Sequence, residues 1–322
     1  MKVKLEKSAK IFGKVRCGDG VYLARGSIIR SQFDSVLVGN STWVLENSVL
    51  IGTKNQPLIV GAKTVFGHRC IAIGAEIGNL CEIGNGTIIL PKSKIGHMCV
   101  FGEGTLIPEG SFIPDESVVI GRPYRIIRKL NDEDKAMLVR MRSNDIALKE
   151  YSENIYEFPF KGVDSMINIF PYNDKYPKVS ETAILMDYCE VVGDVVIGEN
   201  SIVASGVRII GNSHGPVIIG NNVQILENTV LHLLPDNQLI IEDGVTIGPG
   251  CIIHGTIIGE NSIVESGSII CDYSKIGKNT IVKSGSLIKQ RDVFSDNVIL
   301  EGFPAKPIGN TDTLYRPDWA IK

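Results

Sequence analysis

An aliphatic or aromatic residue returns at every sixth position over long stretches of this chain. The longest unbroken series is Ile77, Ile83, Ile89, Ile95, Phe101, Ile107, Ile113 and Val119. A period of six fits neither the 3.6-residue helix nor the two-residue alternation of a simple strand. It therefore predicts a solenoid in which each hexad forms one flat side and three sides complete a coil. Stacked coils of this kind enclose a narrow aliphatic core, and small residues take the tight turns between sides.

The chain also repeats itself at an offset of 181 residues. Positions 16–123 align without gaps onto 197–304, and the interruption GTKNQP at 52–57 matches LLPDNQ at 233–238. Unrelated solenoids would share the period but not these irregularities, so we interpret the chain as a tandem duplication. We expect an N-terminal β-helix domain over 1–130, a C-terminal β-helix domain over 179–310 and a tail over 311–322.

The segment between the two arrays has a different composition. Residues 131–157 lose the glycines, gain charges and carry a periodic apolar face, with Asn131 as a candidate N-cap. This pattern predicts an α-helix over 131–157 packed on a prism. Residues 158–178 are rich in proline and aromatic residues, which indicates a linker.

Composition restricts the classes of partner. The formal charge of −3 and the pI of about 6.0 argue against nucleic acid, which demands a basic surface. No apolar run approaches the ~20 residues that cross a bilayer, and the first residues lack the apolar region of a signal peptide. We expect a cytoplasmic protein that acts on a small molecule, with no membrane or nucleic-acid partner.

Histidine breaks the duplication at three positions. His232 and His254 stand where the first copy has isoleucine, and His68 stands where the second copy has proline. Neither copy alone has three such histidines, but the two together do. Three imidazoles are the protein ligands of an open catalytic zinc site, so the sequence predicts a metal site formed by His68, His232 and His254.

The residues around these histidines resemble the γ-class carbonic anhydrases. In 222–264 a strand ending in His232 is followed by a loop and then by IGPGCIIHG, and GRPYRIIRKL at 121–130 is similar to the closing signature of that family. The resemblance implies left-handed parallel β-helix domains and a Zn²⁺ ion, with Fe²⁺ or Co²⁺ as alternatives, held between neighbouring prisms. It further implies a homo-oligomer assembled through prism faces. The implied activity is that of a lyase, the reversible hydration of CO₂ by a metal-bound hydroxide.

Four further residues are candidates for the chemistry. The resemblance implies roles near the metal for Arg30 and Glu46 in the first copy and for Glu227 in the second, although the glutamine that precedes the acid in the family is leucine in both copies. His214, in the loop NSHGP, is a titratable group that could move protons.

Three other interpretations stay open from the sequence. A hexapeptide-repeat acyltransferase would bind coenzyme A along a prism and use His214 as its general base. A non-catalytic assembly module would use the flat prism faces for packing. The three histidines could also be remnants of drift in a duplicated solenoid. His97 lies at a hexad turn with no equivalent metal ligand, so we expect it to be an ordinary surface residue.

Overall fold

The protein is described here by a computed structural model of residues 3–158, 167–212 and 215–322. The chain divides into two compact units, Met1–Phe160 and Lys161–Lys322. Each unit is a solenoid of short parallel strands with three sides, which confirms the predicted mainly β architecture of two parallel β-helices. We call the three sides of the first unit faces A, B and C. The sides of the second unit that correspond to them at the 181-residue offset are faces A′, B′ and C′.

The first unit is built from strands that pair with the strand one coil away. The strands of face A are Lys4–Leu5, Tyr22–Leu23, Trp43–Val44, Val65–Phe66, Glu82–Ile83, Val100–Phe101, Ser117–Ile120 and Arg125–Lys129. Those of face B are Lys10–Cys17, Ile28–Ser31, Val49–Gly52, Ile71–Ile73, Ile88–Ile89 and Leu106–Ile107. Face C shares Lys10–Cys17 and continues with Val36–Val38, Leu58–Val60, Glu76–Ile77, Lys94–Ile95 and Phe112–Ile113.

The second unit has the same arrangement. The strands of face A′ are Ile184–Leu185, Ile202–Val203, Gln224–Ile225, Thr246–Ile247, Ile263–Val264, Ile281–Val282, Val298–Gly302 and Ala305–Asn310. Those of face B′ are Asn168–Phe170, Glu190–Gly193, Arg208–Gly211, Val230–Leu231, Ile252–Ile253, Ile269–Ile270 and Leu287–Ile288. Those of face C′ are Lys178–Val179, Val195–Ile197, Val217–Ile219, Leu239–Ile241, Thr256–Ile258 and Ser274–Ile276.

The hexad residues form the core, as predicted. All eight members of the series from Ile77 to Val119 belong to one continuous buried cluster of the first unit. One inward aliphatic per side gives each coil three core residues, and parallel pairing in register stacks them on those of the next coil. The stack of coils in each unit ends in an antiparallel hairpin, Ser117–Ile120 with Arg125–Lys129 and Val298–Gly302 with Ala305–Asn310.

Side chains at the corners bond to the backbone of the preceding coil. The Asn79 side-chain oxygen accepts the N–H of Ala62 at 2.7 Å, and Asp115 accepts the N–H of His97 at 2.7 Å. The Nδ1 atom of His97 accepts the N–H of Asn79 at 3.0 Å in the same way. His97 is therefore one rung of a corner ladder on the surface, in agreement with the sequence analysis.

The helix is shorter than the sequence pattern predicts. It spans Asp132–Met141, and Asn131 is its N-cap, in a reciprocal pair of side-chain bonds with Asp134 at 2.8 Å each. The prediction that it continues to 157 is wrong, because Ser143 and Asn144 take left-handed backbone conformations, with φ of 52° and 63°. Leu138 packs against the prism, whereas Met141 is 54% exposed.

The chain after the helix returns to the first unit as a strand. Asn154–Phe158 pairs antiparallel with Lys10–Cys17, so the apolar pattern at 154–157 belongs to a strand and not to a helix. The predicted linker 158–178 is also too long. Asn168–Phe170 and Lys178–Val179 already pair in parallel with strands of the second unit. Part of this linker, residues 159–166, lies outside the described residues.

The C-terminal tail folds back onto face A′. The side chain of Gln224 bonds to both backbone groups of Ile321, at 2.7 and 2.9 Å, and Trp319 is buried. Among the described residues, no helix has the length and apolar character needed to cross a bilayer.

Candidate functional site

Two of the three predicted metal ligands lie side by side on face B′. Val230–Leu231 and Ile252–Ile253 pair in register, and each strand is followed directly by a histidine. Because Leu231 and Ile253 point into the core, His232 and His254 point outward from neighbouring coils. Their ring centroids are 5.6 Å apart, with the ring planes inclined at 70°. We call His232 and His254 the imidazole pair.

Asp272 fixes the ring of His254. Its Oδ2 atom lies 3.0 Å from Nδ1 of His254, and its side chain is only 9% exposed. An ionised carboxylate can only accept, so Nδ1 carries the ring proton and the Nε2 lone pair is left available. This is the arrangement by which proteins orient metal-binding histidines.

The imidazole pair is electrostatically suited to a cation. Partial burial lowers the pKa of His232, and the neighbouring His254 lowers it further, while Asp272 acts in the opposite direction. The lowered pKa favours the neutral ring, which has the free lone pair that a metal requires. In the part of the chain that the structure describes, no group of three or more His, Cys, Asp or Glu side chains is placed to hold a metal ion. The pair therefore needs a further donor to complete such a site.

His68 occupies a corner of the first unit between faces A and B. Its Nδ1 lies 2.8 Å from the side-chain oxygen of Asn85, which also accepts the backbone N–H of His68 at 2.6 Å. That backbone donor identifies the amide atom as oxygen, so Nδ1 of His68 is a donor. The carboxylate of Glu46 lies 3.0 Å from the Nε2 atom of His68, and both side chains are about half exposed.

The other predicted site residues lie in different surroundings. Arg30 is fully buried on face B, where its strand neighbour is Ile51, the residue equivalent to His232. Glu227, equivalent to Glu46, is 1% exposed in the second unit. His214 lies outside the described residues.

The sequence analysis did not identify Asp272 or Asn85 as residues of the site. Asp272 follows His254 by 18 residues and Asn85 follows His68 by 17. In a hexad solenoid, a coil of three sides takes about 18 residues, so each lies one coil beyond its histidine. An inspection of the positions one coil after each candidate ligand would have found both.

Comparison with known proteins assigns the chain to a family. Residues 57–91 and 238–271 each match the family described as the hexapeptide repeat of succinyl-transferase. A carbonic anhydrase of Geobacillus kaustophilus is 43% identical over 140 residues, which cover 44% of this chain and 76% of that protein. The mitochondrial gamma carbonic anhydrase 1 of Arabidopsis thaliana is 28% identical over 155 residues, which cover 46% of this chain and 56% of that protein.

Among solved structures, a hexapeptide transferase family protein from Anaplasma phagocytophilum is 29% identical and covers 45% of this chain and 85% of its own, with a TM-score of 0.43. Each of the two carbonic anhydrase relatives matches slightly less than half of the chain, about the length of one repeat. The hexapeptide-repeat match occurs once in each repeat, and the Geobacillus enzyme is spanned over three quarters of its length. The chain therefore belongs to the γ-carbonic-anhydrase-like family of hexapeptide-repeat proteins, as a tandem duplication.

Proposed function

We propose that this protein hydrates carbon dioxide reversibly at a divalent cation held by His232 and His254 of the second repeat and His68 of the first. The observation that carries the proposal is the imidazole pair, with Asp272 on Nδ1 of His254. Two outward imidazoles on neighbouring coils, one of them oriented by a buried carboxylate, resemble the arrangement by which proteins orient metal-binding histidines. The carbonic anhydrase relatives suggest the substrate class, which is carbon dioxide and bicarbonate.

The donor set fits the proposed cation. Neutral imidazoles suit Zn²⁺, and Fe²⁺ and Co²⁺ accept the same nitrogen donors. His68 is the third donor that the proposal requires. Asn85 holds its Nδ1 proton, and on metal binding its Nε2 would lose its own proton and exchange the contact with the Glu46 carboxylate for the cation. When bound, the cation would act as a Lewis acid that activates water for attack on carbon dioxide.

Glu46 is the residue that we assign to proton transfer. Its half-exposed carboxylate lies beside Nε2 of His68, so it would border the cation and also contact solvent. A group in this position can accept a proton released at the site and pass it to bulk water or buffer. Glu227, its buried counterpart, lacks that access to solvent.

The test compares three variants of the full-length protein. We expect about one zinc, iron or cobalt ion per chain in the wild type, as a three-histidine site requires. His68→Ala and His254→Ala should lose the metal, measured by elemental analysis, together with carbon dioxide hydration, measured by stopped-flow pH change. His97→Ala is the matched control, because His97 belongs to the corner ladder and should leave the metal content unchanged.

Two results would contradict the proposal. If the His68→Ala protein retains the metal while the His254→Ala protein loses it, the site does not include the first repeat. If the wild type binds no metal and coenzyme A raises its unfolding temperature, the protein is an acyltransferase of the same fold instead.

A further inference from the structure

Asp272 makes more contacts than the orientation of one ring requires. Its Oδ1 atom accepts the backbone N–H of Leu234 at 3.2 Å, the side-chain amide of Asn237 at 3.2 Å and the backbone N–H of Gly255 at 3.2 Å. Leu234 is two residues after His232, and Gly255 directly follows His254. One carboxylate thus bonds to His254 itself and to the backbone just beyond each member of the imidazole pair.

The first repeat has no such arrangement. The residue equivalent to Asp272 is Pro91, which has no side-chain acceptor. In the first repeat the equivalent loop, 52–57, is closed by two hydrogen bonds within itself. The N–H of Thr53 donates to the carbonyl of Gln56 at 2.9 Å, and the N–H of Gln56 donates to the carbonyl of Thr53 at 3.2 Å. The carboxylate therefore occurs only in the repeat that carries the imidazole pair.

We propose that Asp272 is a positioning residue that holds the imidazole pair in a ligating state, through the ring of His254 and through the loop that begins after His232. This inference rests on the proposed metal site, but it concerns the metal-free protein as well. Oδ2 sets the ring proton of His254 on Nδ1, which leaves Nε2 as the outward lone pair. Oδ1 fixes the direction in which the chain leaves His232, whose ring packs edge-on against His254.

Preorganisation gives the physical advantage of this arrangement. A histidine that rotates freely, or that carries its proton on the outward nitrogen, must be reordered when the cation binds, and that cost is subtracted from the affinity. Partners that orient metal-binding residues in this way typically change affinity by about 10- to 100-fold. A simpler role for Asp272, as a clamp for the loop 233–238 alone, predicts no effect on the ring proton.

The variant Asp272→Asn separates these two roles. Its amide oxygen can still accept the three N–H donors, so the NH₂ group must face Nδ1 of His254 in place of Oδ2. The opposite amide orientation would set NH₂ against those three donors and lose all three bonds. An NH₂ group can only donate, so Nδ1 becomes the acceptor and the ring proton moves to Nε2, the ligating atom.

Asn237→Ala is the matched control. It removes a contact between the loop and Asp272, and also the bond from Asn237 to the carbonyl of Gly255 at 2.9 Å. It leaves the bond between Asp272 and His254 intact. If Asp272 is only a loop clamp, the two variants should be alike in the position of the His254 ring proton and in the affinity for Zn²⁺.

The first measurement uses the full-length metal-free protein. Nitrogen-15 NMR at about pH 8.5, where imidazoles of ordinary pKa near 6.5 are neutral, identifies the protonated nitrogen of each histidine. We expect the His254 proton on Nδ1 in the wild type and in Asn237→Ala, and on Nε2 in Asp272→Asn. The His254 signals are assigned by their loss in His254→Gln.

The second measurement is the affinity for Zn²⁺, determined by competition with a chelator. We expect Asp272→Asn to bind about 10- to 100-fold more weakly than the wild type and Asn237→Ala to stay within about threefold. The positioning role would be overturned if the ring proton of His254 stays on Nδ1 in Asp272→Asn, or if both variants lose the same affinity for Zn²⁺. If the wild type binds no Zn²⁺, the proposed function fails, whereas the NMR result still decides the role of Asp272.

Discussion

Arg142 offers a test of how the segment after the helix is held on the first unit. It lies at the C-terminal end of the helix, and its guanidinium pairs with the carboxylate of Glu82 on face A, donates to the carbonyl of Lys63 at 2.8 Å and lies 3.3 Å from that of Cys81. The Arg142 and Glu82 side chains are only 8% and 14% exposed. Burial raises the pKa of Glu82, and Arg142 offsets part of this rise.

The variant Arg142→Met should leave an uncompensated buried carboxylate. Removal of one partner from a buried ion pair typically costs about 3–5 kcal/mol of unfolding free energy. The double variant Arg142→Met/Glu82→Met should recover much of this loss, because apolar side chains of similar volume avoid the desolvation of both charges. The bond to the Lys63 carbonyl stays lost in both variants, so the recovery should be incomplete.

The loss should also depend on pH. Because the pKa of Glu82 is raised in the folded state, the folded protein binds more protons than the unfolded chain above about pH 4.5, and its stability falls as pH rises through this window. Without Arg142 the pKa of Glu82 rises further, so the decline continues to higher pH. The difference between wild type and Arg142→Met should therefore be larger at about pH 8 than at about pH 5.

The assay is denaturant unfolding in a Trp319→Phe background. Trp43 is then the only tryptophan, and it lies in the first unit, 5.8 Å from the ring of Tyr22. A single reporter in this unit separates its transition from that of the second unit, which a two-state treatment requires. The reasoning is refuted if the loss is equal at both pH values, or if the double variant is no more stable than the single one.

Two further predictions concern the loop and an ion pair. Gly255→Ala would place a Cβ atom 2.1 Å from the amide nitrogen of Asn237, so it should displace that side chain and destabilise the second unit by about 1–3 kcal/mol. The loss would be monitored by Trp319 fluorescence in a Trp43→Phe background. The pKa of Asp34 is lowered to about 2, chiefly by its bonds to Arg16, so this pair stabilises the fold above the ordinary pKa of 3.8 and the contribution is lost as pH falls toward 2. Asp34→Asn should therefore be less stable than the wild type by up to about 1 kcal/mol at neutral pH, and the difference should disappear only below about pH 2, measured by acid unfolding.

The sequence was sufficient for the architecture because the solenoid repeats one local rule. Each hexad places one aliphatic residue inward, and parallel stacking carries that rule from coil to coil, so the core from Ile77 to Val119 is readable without any distant contact. The 181-residue offset likewise identified the second unit and the unusual positions of His68, His232 and His254. The N-cap at Asn131 could also be predicted from the sequence, because capping depends on residues only three positions apart.

The limits of the helix and of the linker were decided by tertiary structure. Charged and apolar residues at 142–157 satisfy a helical pattern, but Ser143 and Asn144 turn the chain, and Asn154–Phe158 gains a full set of strand partners on Lys10–Cys17. Pairing with an available strand edge outweighs the weak preference of an isolated helical segment. Similarly, the aromatic residues near 168–170 resemble a linker in sequence, but they form a strand of the second unit.

The chemistry of the candidate site divides in the same way. Sequence alone determined which histidines stand at unusual positions, because the duplication supplies its own reference. Only the tertiary structure placed Asp272 against His254 and Glu46 against His68, since these contacts join neighbouring coils, over 18 and 22 residues of the chain. Hydrogen bonds depend on distance and direction to within a few tenths of an ångström, and a periodic pattern specifies neither.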